Sequence, residues 1–145
     1  MATDVLKHRE ITDLILNAFY RVYNELGYGF LEKVYENALS IEASDLGLSV
    51  SQQVSIEVVY KHHKVGYYEA DLVVNDAIIV ELKAAHALTA AHEAQLLNYL
   101  KATRFEVGLL LNFGPKPDFR RKAFDNQRKG NLLWIRPNSD QRASA

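Results

Sequence analysis

The sequence predicts a single α/β domain in the order α-α-β-β-β-α-β-β. Apolar residues recur at helical spacing in the first third of the chain, and the period then changes to that of strands. Two later apolar runs without alternation indicate strands that are covered on both faces. A length of 145 residues suits one domain with one core. We expect this domain to span residues 1–137 and residues 138–145 to form a disordered tail.

Two helices are predicted at the start of the chain. From residue 6 to residue 26 the apolar positions are three and four apart, which is typical of an amphipathic helix, and Gly27 provides its C-terminal end. A second helix is predicted over residues 31–46, where Gly47 closes it.

Three strands should follow. Alternation predicts a strand over residues 54–60, a polar turn over 61–66 and a second strand over 67–74. Residues 77–83 form the third strand, and its continuous apolar start indicates a central position in the sheet. Asn75 and Asp76 mark the turn between the second and third strands.

The second half of the chain predicts a third helix and further strands. Thr89 is a suitable N-cap for a helix that ends near Ala102. Its predicted buried side carries Ala94, Leu97 and Leu100, with Leu96 nearby. Residues 107–113 form a buried strand, and residues 119–124 and 132–135 fit short strands near the sheet edge.

Composition excludes several classes of protein. The chain has no cysteine, which excludes disulfides, thiolate zinc sites, iron–sulfur clusters and a cysteine nucleophile. No stretch resembles a signal peptide or a membrane span, so we expect a cytoplasmic protein with no membrane partner. The net charge of −1 argues against a protein that coats nucleic acid. It does not argue against an enzyme that binds nucleic acid at a local site.

Basic residues are concentrated near the C-terminus. Six of them lie between Lys116 and Lys129, including Arg120, Arg121 and Lys122, against two aspartates. Such a cluster could contact a phosphate backbone. By itself it is better explained as a solvated face.

Glu81 and Lys83 end the third predicted strand. Residues two apart in a strand face the same way, so both side chains project from one face. A salt bridge at a strand end would explain the pair equally well. Asp71 changes this balance, because a three-residue loop over residues 75–77 would place it directly opposite Glu81, with Cβ atoms about 5 Å apart. A two-residue turn would instead put the two carboxylates on opposite faces, so a metal site shared by the two carboxylates requires a three-residue loop or a bulge.

Two carboxylates this close repel unless a proton or a cation lies between them. A Mg²⁺ ion suits two carboxylates, water and a phosphate oxygen, and Lys83 beside it could orient or deprotonate water or stabilise the transition state. Glu32 or Glu36, one turn apart on the second helix, could supply a third carboxylate. Gln95 and Tyr99 lie four apart on the third helix, where the amide could bond a metal-bound water or a phosphate.

The chain resembles the small bacterial proteins of the GxxExxY family. That signature reads Gly29, Glu32 and Tyr35 here. The resemblance covers residues 11–121, which is most of the chain.

The same residues resemble the PD-(D/E)XK nuclease superfamily, to which that family is related. Asp71, Glu81 and Lys83 match its core Asp-(x)n-Glu-x-Lys motif, and Gln95-x-x-x-Tyr99 matches a pattern of its exonuclease-like branches. The combined motifs are specific, whereas each alone is not.

This resemblance implies a restriction-endonuclease-like fold, with a central mixed sheet flanked by helices. It also implies Mg²⁺ or Mn²⁺ held by Asp71, Glu81 and Glu32, with Lys83 as the catalytic lysine. Ala70 stands where the superfamily's name places a proline, at a position that varies among its members.

Three hypotheses follow. The first is a metal-dependent nuclease that acts on DNA in preference to RNA, with low sequence specificity, either as a homodimer or with a partner. Its candidate substrate contacts are Tyr99, Arg120, Arg121 and Lys122. The second is an inactive nuclease-like scaffold that serves as a binding module, and the third is a hydrolase of another phosphate-bearing substrate.

Overall fold

A computed structural model describes residues 8–132 of the chain, which form three α-helices and five strands. The helices are α1 (Arg9–Leu26), α2 (Glu32–Asp45) and α3 (Ala90–Ala102). The strands are β1 (Val50–Tyr60), β2 (His63–Val74), β3 (Ile78–Lys83), β4 (Val107–Phe113) and β5 (Pro117–Ala123). Two short 3-10 turns follow at Asn126–Arg128 and Gly130–Leu132.

The five strands form one mixed sheet in the order β1-β2-β3-β4-β5. Only β3 and β4 are parallel, whereas the other neighbouring strands of this sheet are antiparallel. A parallel pair needs a crossover connection, and α3 supplies it. The predicted α/β class with a mixed sheet and flanking helices is therefore confirmed.

Helices cover both faces of the sheet. One core contains Ile78, Val80 and Leu82 of β3 together with buried residues of α1 and α2. The other contains Ile79 of β3 together with Leu96 and Leu100 of α3. Strand β3 is apolar on both faces because it is buried on both, as predicted for a central strand.

The hairpin between β2 and β3 has a three-residue loop, one of the two arrangements that the metal hypothesis allowed. Val74 pairs with Ile78, so residues 75–77 form the connection. Asn75 and Asp76 have φ angles of 53° and 51°, a left-handed conformation that asparagine and aspartate tolerate better than most residues. The register runs through Leu72 opposite Val80, which points Asp71 and Glu81 to the same face.

The hairpin between β1 and β2 corrects the prediction. The turn contains only Lys61 and His62, with φ angles of 48° and 68°, and β2 already begins at His63. Positive φ at both positions is typical of the two-residue turns that match strand twist. The predicted turn over residues 61–66 was wrong because polar residues also fit a strand whose side chains reach solvent. Strand β1 likewise begins at Val50, because Val50 pairs with Val74.

The buried face of α3 also differs from the prediction. Ala94 is exposed and Leu97 only half-buried, whereas Leu96 and Leu100 are buried. A Cβ atom at Gly108 of β4 would lie 2.9 Å from a Leu96 methyl carbon. The missing side chain at Gly108 thus makes room for Leu96 and selects this face.

The ends of the described range leave some predictions open. The predicted strand over 119–124 is confirmed as β5, but Leu132 lies in a 3-10 turn instead of a strand. Residues 133–135 and the predicted tail at 138–145 lie outside the described residues, as does the predicted start of the first helix at residue 6. No helix within residues 8–132 is long and apolar enough to cross a lipid bilayer.

Candidate active site

The sheet opens between β2 and β3 at Asp71 and Glu81. Backbone pairing between these strands extends only as far as Leu72 and Val80. Beyond it, Asp71 Oδ2 accepts a hydrogen bond of 2.8 Å from the backbone N–H of Leu82. Glu81 Oε2 accepts one of 3.2 Å from the backbone N–H of Asp71. Each carboxylate therefore replaces a bond of the ladder, and the two are held side by side where the strands separate.

Strand β1 is irregular at the same level of the sheet. Its pairing with β2 passes from Gln52 opposite Leu72 to Val54 opposite Ala70, and skips Gln53. Gln53 has a φ angle of 53°, which is uncommon for a non-glycine residue inside a strand. This outlier lies at the register position of Asp71, and backbone strain of this kind often occurs at functional sites.

Glu36 is a structural anchor between α2 and β1. It is only 4% exposed, and both of its oxygens have partners. Gln52 Nε2 donates to Oε2 at 2.8 Å, Gln53 Nε2 donates to Oε1 at 2.9 Å, and Lys33 Nζ lies 3.2 Å from both oxygens. A carboxylate engaged in this way is poorly placed to bind a ligand.

Glu32, in contrast, reaches the end of β3. Its exposed side chain makes one long hydrogen bond, in which Oε2 accepts from the backbone N–H of Ala84 at 3.3 Å. Ala84 directly follows Lys83. Of the two candidate glutamates, Glu32 and Glu36, Glu32 is thus the one that the fold brings to the Asp71, Glu81 and Lys83 segment with oxygen atoms available.

The electrostatics of the carboxylate pair favour retention of a proton. Burial raises the pKa of Glu81 to about 7, and the negative charge of Asp71 adds to the increase. Burial also raises the pKa of Asp71, and the charges of Glu36 and Glu32 add to it. The site is therefore short of positive charge near neutral pH, which favours a bound proton or cation.

Tyr68 holds Glu81, a role that the sequence did not indicate. Its hydroxyl donates a hydrogen bond to Glu81 Oε2, and its ring stacks on Tyr99 with centroids 3.7 Å apart. Burial raises the pKa of Tyr68, and the charge of Glu81 adds to it, so the hydroxyl stays a donor. Regular alternation would place Tyr68 and Asp71 on opposite faces. The irregular backbone brings Tyr68 to the α3 side instead.

A cavity of about 250 Å³ lies beside Glu81. Glu81 and Lys83 line it from β3, and Gln95 and Tyr99 line it from α3. His92 also lines the cavity. Its Nδ1 accepts a hydrogen bond from Thr89 N–H, which is part of the capping box at the start of α3. Thr89 is therefore the N-cap residue, as predicted. The fold thus brings four of the predicted site residues into one cavity.

The predicted basic group is split across the sheet. Lys122 Nζ and Arg120 Nε lie 2.7 Å and 3.3 Å from oxygens of Glu93 on α3. Arg121 alternates to the opposite face, where Arg9 and Asp13 of α1 act on it electrostatically. Arg120 and Lys122 can reach a ligand on the α3 side, although Glu93 neutralises part of their charge, whereas Arg121 faces away from them.

Tyr35 clamps the loop that leads to Glu32. Its buried hydroxyl donates to the carbonyl of Gly27 at 2.5 Å and accepts from Phe30 N–H at 3.1 Å. Its ring stacks on Phe113 of β4 with centroids 4.3 Å apart. The tyrosine of the signature therefore fixes the end of α1 relative to the start of α2.

Replacing Tyr35 with phenylalanine tests this clamp. The change leaves the Gly27 carbonyl and the Phe30 N–H without their partner, and we expect a loss of about 1–3 kcal/mol in the free energy of unfolding. Urea denaturation measures it. Tyr20→Phe is the matched control, because Tyr20 is partly exposed and its hydroxyl has no partner among the described residues. Equal stability of the two variants would contradict the clamp.

Strand β4 holds the segment that follows Lys83. The Asn112 amide, which is buried, accepts from Ala85 N–H at 2.9 Å and donates to the Ala85 carbonyl at 3.1 Å. Tyr23 of α1 donates to the Gly114 carbonyl at 2.8 Å. These contacts fix the backbone on which Lys83 lies.

Gly114→Ala should disturb this segment. A Cβ atom at Gly114 would lie 2.1 Å from the Ala85 carbonyl oxygen, so one of the two backbones must move. We expect a loss of about 1–3 kcal/mol in the free energy of unfolding, measured by chemical denaturation. Gly66→Ala is the control, because a Cβ atom there meets nothing within 4 Å. If both variants unfolded at the same denaturant concentration, the close contact with Ala85 would not matter.

The donor chemistry of the site fits a hard divalent cation. Asp71 Oδ1 and Glu81 Oε1 have no hydrogen-bond partner in the described part of the chain, and carboxylate oxygens are the ligands that Mg²⁺ prefers. Residues 8–132 contain no group of three or more His, Asp or Glu side chains already arranged around one ion. Glu32 would therefore have to move toward Asp71 and Glu81 to become the third protein ligand.

The chain is similar to known proteins in sequence and, distantly, in structure. A sequence model of the PD-(D/E)XK nuclease superfamily matches residues 9–122. A comparison with curated proteins found no significant match. The crystal structure of SSO0001 aligns over 84% of this chain and 70% of its own, at 19% identity and a TM-score of 0.42. A likeness this distant carries no argument about function.

Proposed function

Since the chain belongs to the PD-(D/E)XK nuclease superfamily, we propose that it is a metal-dependent nuclease that hydrolyses phosphodiester bonds. The paired carboxylates of Asp71 and Glu81 carry this proposal. They are held side by side at the opening of the sheet, each with one oxygen directed to no protein partner among the described residues. The half-buried Lys83 projects from the same face of β3 as Glu81.

The residues take distinct roles. Asp71 and Glu81, with Glu32 as the third carboxylate, would hold Mg²⁺ or Mn²⁺. When bound, the metal polarises the phosphoryl group and lowers the pKa of water. Lys83 orients or deprotonates the attacking water and offsets the negative charge of the transition state. Gln95 donates from α3 to the phosphate or to that water, from the cavity that it shares with Lys83.

The substrate that fits this site is a polynucleotide, DNA in preference to RNA. Tyr99, Arg120 and Lys122 lie on the α3 side and are proposed as contacts to it. Arg121 contacts substrate only if the strand also crosses the α1 side. The domain offers little surface for sequence readout, so we propose low intrinsic specificity and a homodimer or a partner protein.

We further propose that the chain is a GxxExxY protein. Gly29 has a φ angle of 118°, which favours glycine, Glu32 reaches the site, and Tyr35 clamps the loop. Each signature residue therefore has a physical role in delivering Glu32.

A second candidate is an inactive scaffold that binds a partner. One observation favours it: in the described residues no three candidate ligands surround a common point. Hydrolysis of another phosphate-bearing substrate would keep the metal requirement but fail on polynucleotides.

The deciding experiment is a cleavage assay with single-stranded, duplex and branched DNA and with RNA. Each substrate is tested with Mg²⁺, with Mn²⁺ and with chelator, beside Glu81→Ala. Glu57→Ala is the matched control, because Glu57 is an exposed strand carboxylate that pairs with Lys64. Metal-dependent cleavage that is lost only in Glu81→Ala is the expected result.

Other outcomes select the alternatives. Metal binding without cleavage of any polynucleotide would point to another phosphoester. The absence of both metal binding and cleavage would favour the inactive scaffold. Metal binding is measured independently of activity as a rise in melting temperature in millimolar Mg²⁺. Such a rise is expected because an ion that binds only the folded protein stabilises it.

A further inference from the structure

The loop between α1 and α2 presents apolar side chains to solvent beside the candidate active site. Tyr28 is 61% exposed and Leu31 is 79% exposed, and Phe30 between them is also largely exposed. Such neighbouring apolar groups on a surface often mark a contact site.

This exposure does not come from a loose loop. Tyr35 bonds both ends of the segment, at the Gly27 carbonyl and the Phe30 N–H, and the Phe30 ring packs edge-on against the Tyr35 ring at 6.0 Å. Leu31 is the N-cap residue of α2, and its carbonyl accepts from Val34 N–H at 3.0 Å. The fold therefore orders the loop without covering its apolar side chains.

The loop lies at the rim of the site. Leu31 directly precedes Glu32, whose carboxylate accepts from Ala84 N–H at the end of β3. A ligand held by the Glu32 carboxylate would therefore lie next to the start of this loop. Uncharged aromatic and aliphatic groups at that point suit the faces of bases and sugars, whereas phosphates would need cations.

We propose that Tyr28 and Leu31 contact unpaired bases of the polynucleotide next to the bond that is cut. This inference rests on the proposed nuclease function and deepens it, because it names the substrate class. Bases inside a duplex expose only their edges, so a surface that packs on base faces selects single strands or melted ends.

The test is binding of a fluorescein-labelled single strand, followed by fluorescence anisotropy in Mg²⁺. Every variant carries Glu81→Gln, which blocks cleavage but keeps an acceptor for Tyr68 and Asp71. We expect Tyr28→Ala to weaken binding about tenfold and Leu31→Ser a few-fold. Ile41→Ser is the matched control. Ile41 is 66% exposed on α2 and lies about 15 Å along the helix from Leu31. It should bind like the parent.

The outcomes separate this inference from the proposed function. If the wild type cleaves a polynucleotide but Tyr28→Ala and Leu31→Ser bind like Ile41→Ser, this inference is wrong and the nuclease proposal stands. If the Glu81→Gln parent does not bind the single strand and the wild type does not cleave any polynucleotide, both this inference and the nuclease proposal fail. A parent that sediments as a dimer and a Leu31→Ser variant that sediments as a monomer would show that a second copy covers the loop, which also overturns the inference.

Discussion

Replacing Lys83 with alanine is expected to lower the cleavage rate about a thousandfold and leave the fold intact. Lys83 ends β3 half-buried, on the face of Glu81 and beside the cavity that Gln95 lines. A cation at that point can act on the attacking water or on the charge of the transition state, and losses of about 10²–10⁴ are usual for either role. Single-turnover cleavage of the best substrate measures the loss.

A surface lysine provides the control for Lys83. Lys64 is exposed on β2 and pairs with Glu57 at 2.8 Å, so Lys64→Ala should cleave at the wild-type rate. Asp71→Ala should also abolish cleavage, and Asp71→Asn repeats the test while it keeps an acceptor for Leu82 N–H. Wild-type turnover in Lys83→Ala or in both Asp71 variants would show that the active site lies elsewhere.

The stability of the metal-free protein should depend on pH through Glu81. Burial and the charge of Asp71 raise the pKa of Glu81 to about 7 in the folded state, so the folded form binds this proton more tightly than the unfolded chain. The stabilisation is complete below the unfolded value near 4.5 and is lost as pH rises to about 7. The loss amounts to roughly 3 kcal/mol at most.

Glu81→Gln isolates this contribution. Glutamine keeps an acceptor for Tyr68 and for Asp71 N–H but carries no charge. In chelator, the free energy of unfolding of the wild type should fall relative to the variant between about pH 5 and pH 8, and the variant should be the more stable at pH 8. Millimolar Mg²⁺ should restore the wild type and have little effect on the variant. Parallel pH profiles for the two proteins would contradict the raised pKa.

Local patterns predicted much of the fold and part of the site. Helical spacing and strand alternation are properties of neighbouring residues, so they located α1, α2 and β3 within a few residues. The same alternation put Glu81 and Lys83 on one face. The sequence left the length of the loop at Asn75 and Asp76 open, and the structure has the three-residue form that is compatible with the metal hypothesis.

Other features were beyond local pattern because they depend on departures from regular structure. Tyr68 reaches Glu81 only because β2 and β1 are irregular at Asp71 and Gln53. A single irregular residue reverses the face of every residue before it. Alternation alone would therefore have placed Tyr68 away from the site.

The choice between Glu32 and Glu36 separates what the sequence determines from what only the tertiary structure decides. The sequence by itself determined that two carboxylates lie one turn apart at the start of α2, since that follows from helical spacing. Only the tertiary structure decided that Gln52 and Gln53 of β1 occupy Glu36, while Glu32 reaches Ala84. The physical reason is that hydrogen-bond partners come from strands distant in sequence, and no local period records which side chain those strands meet.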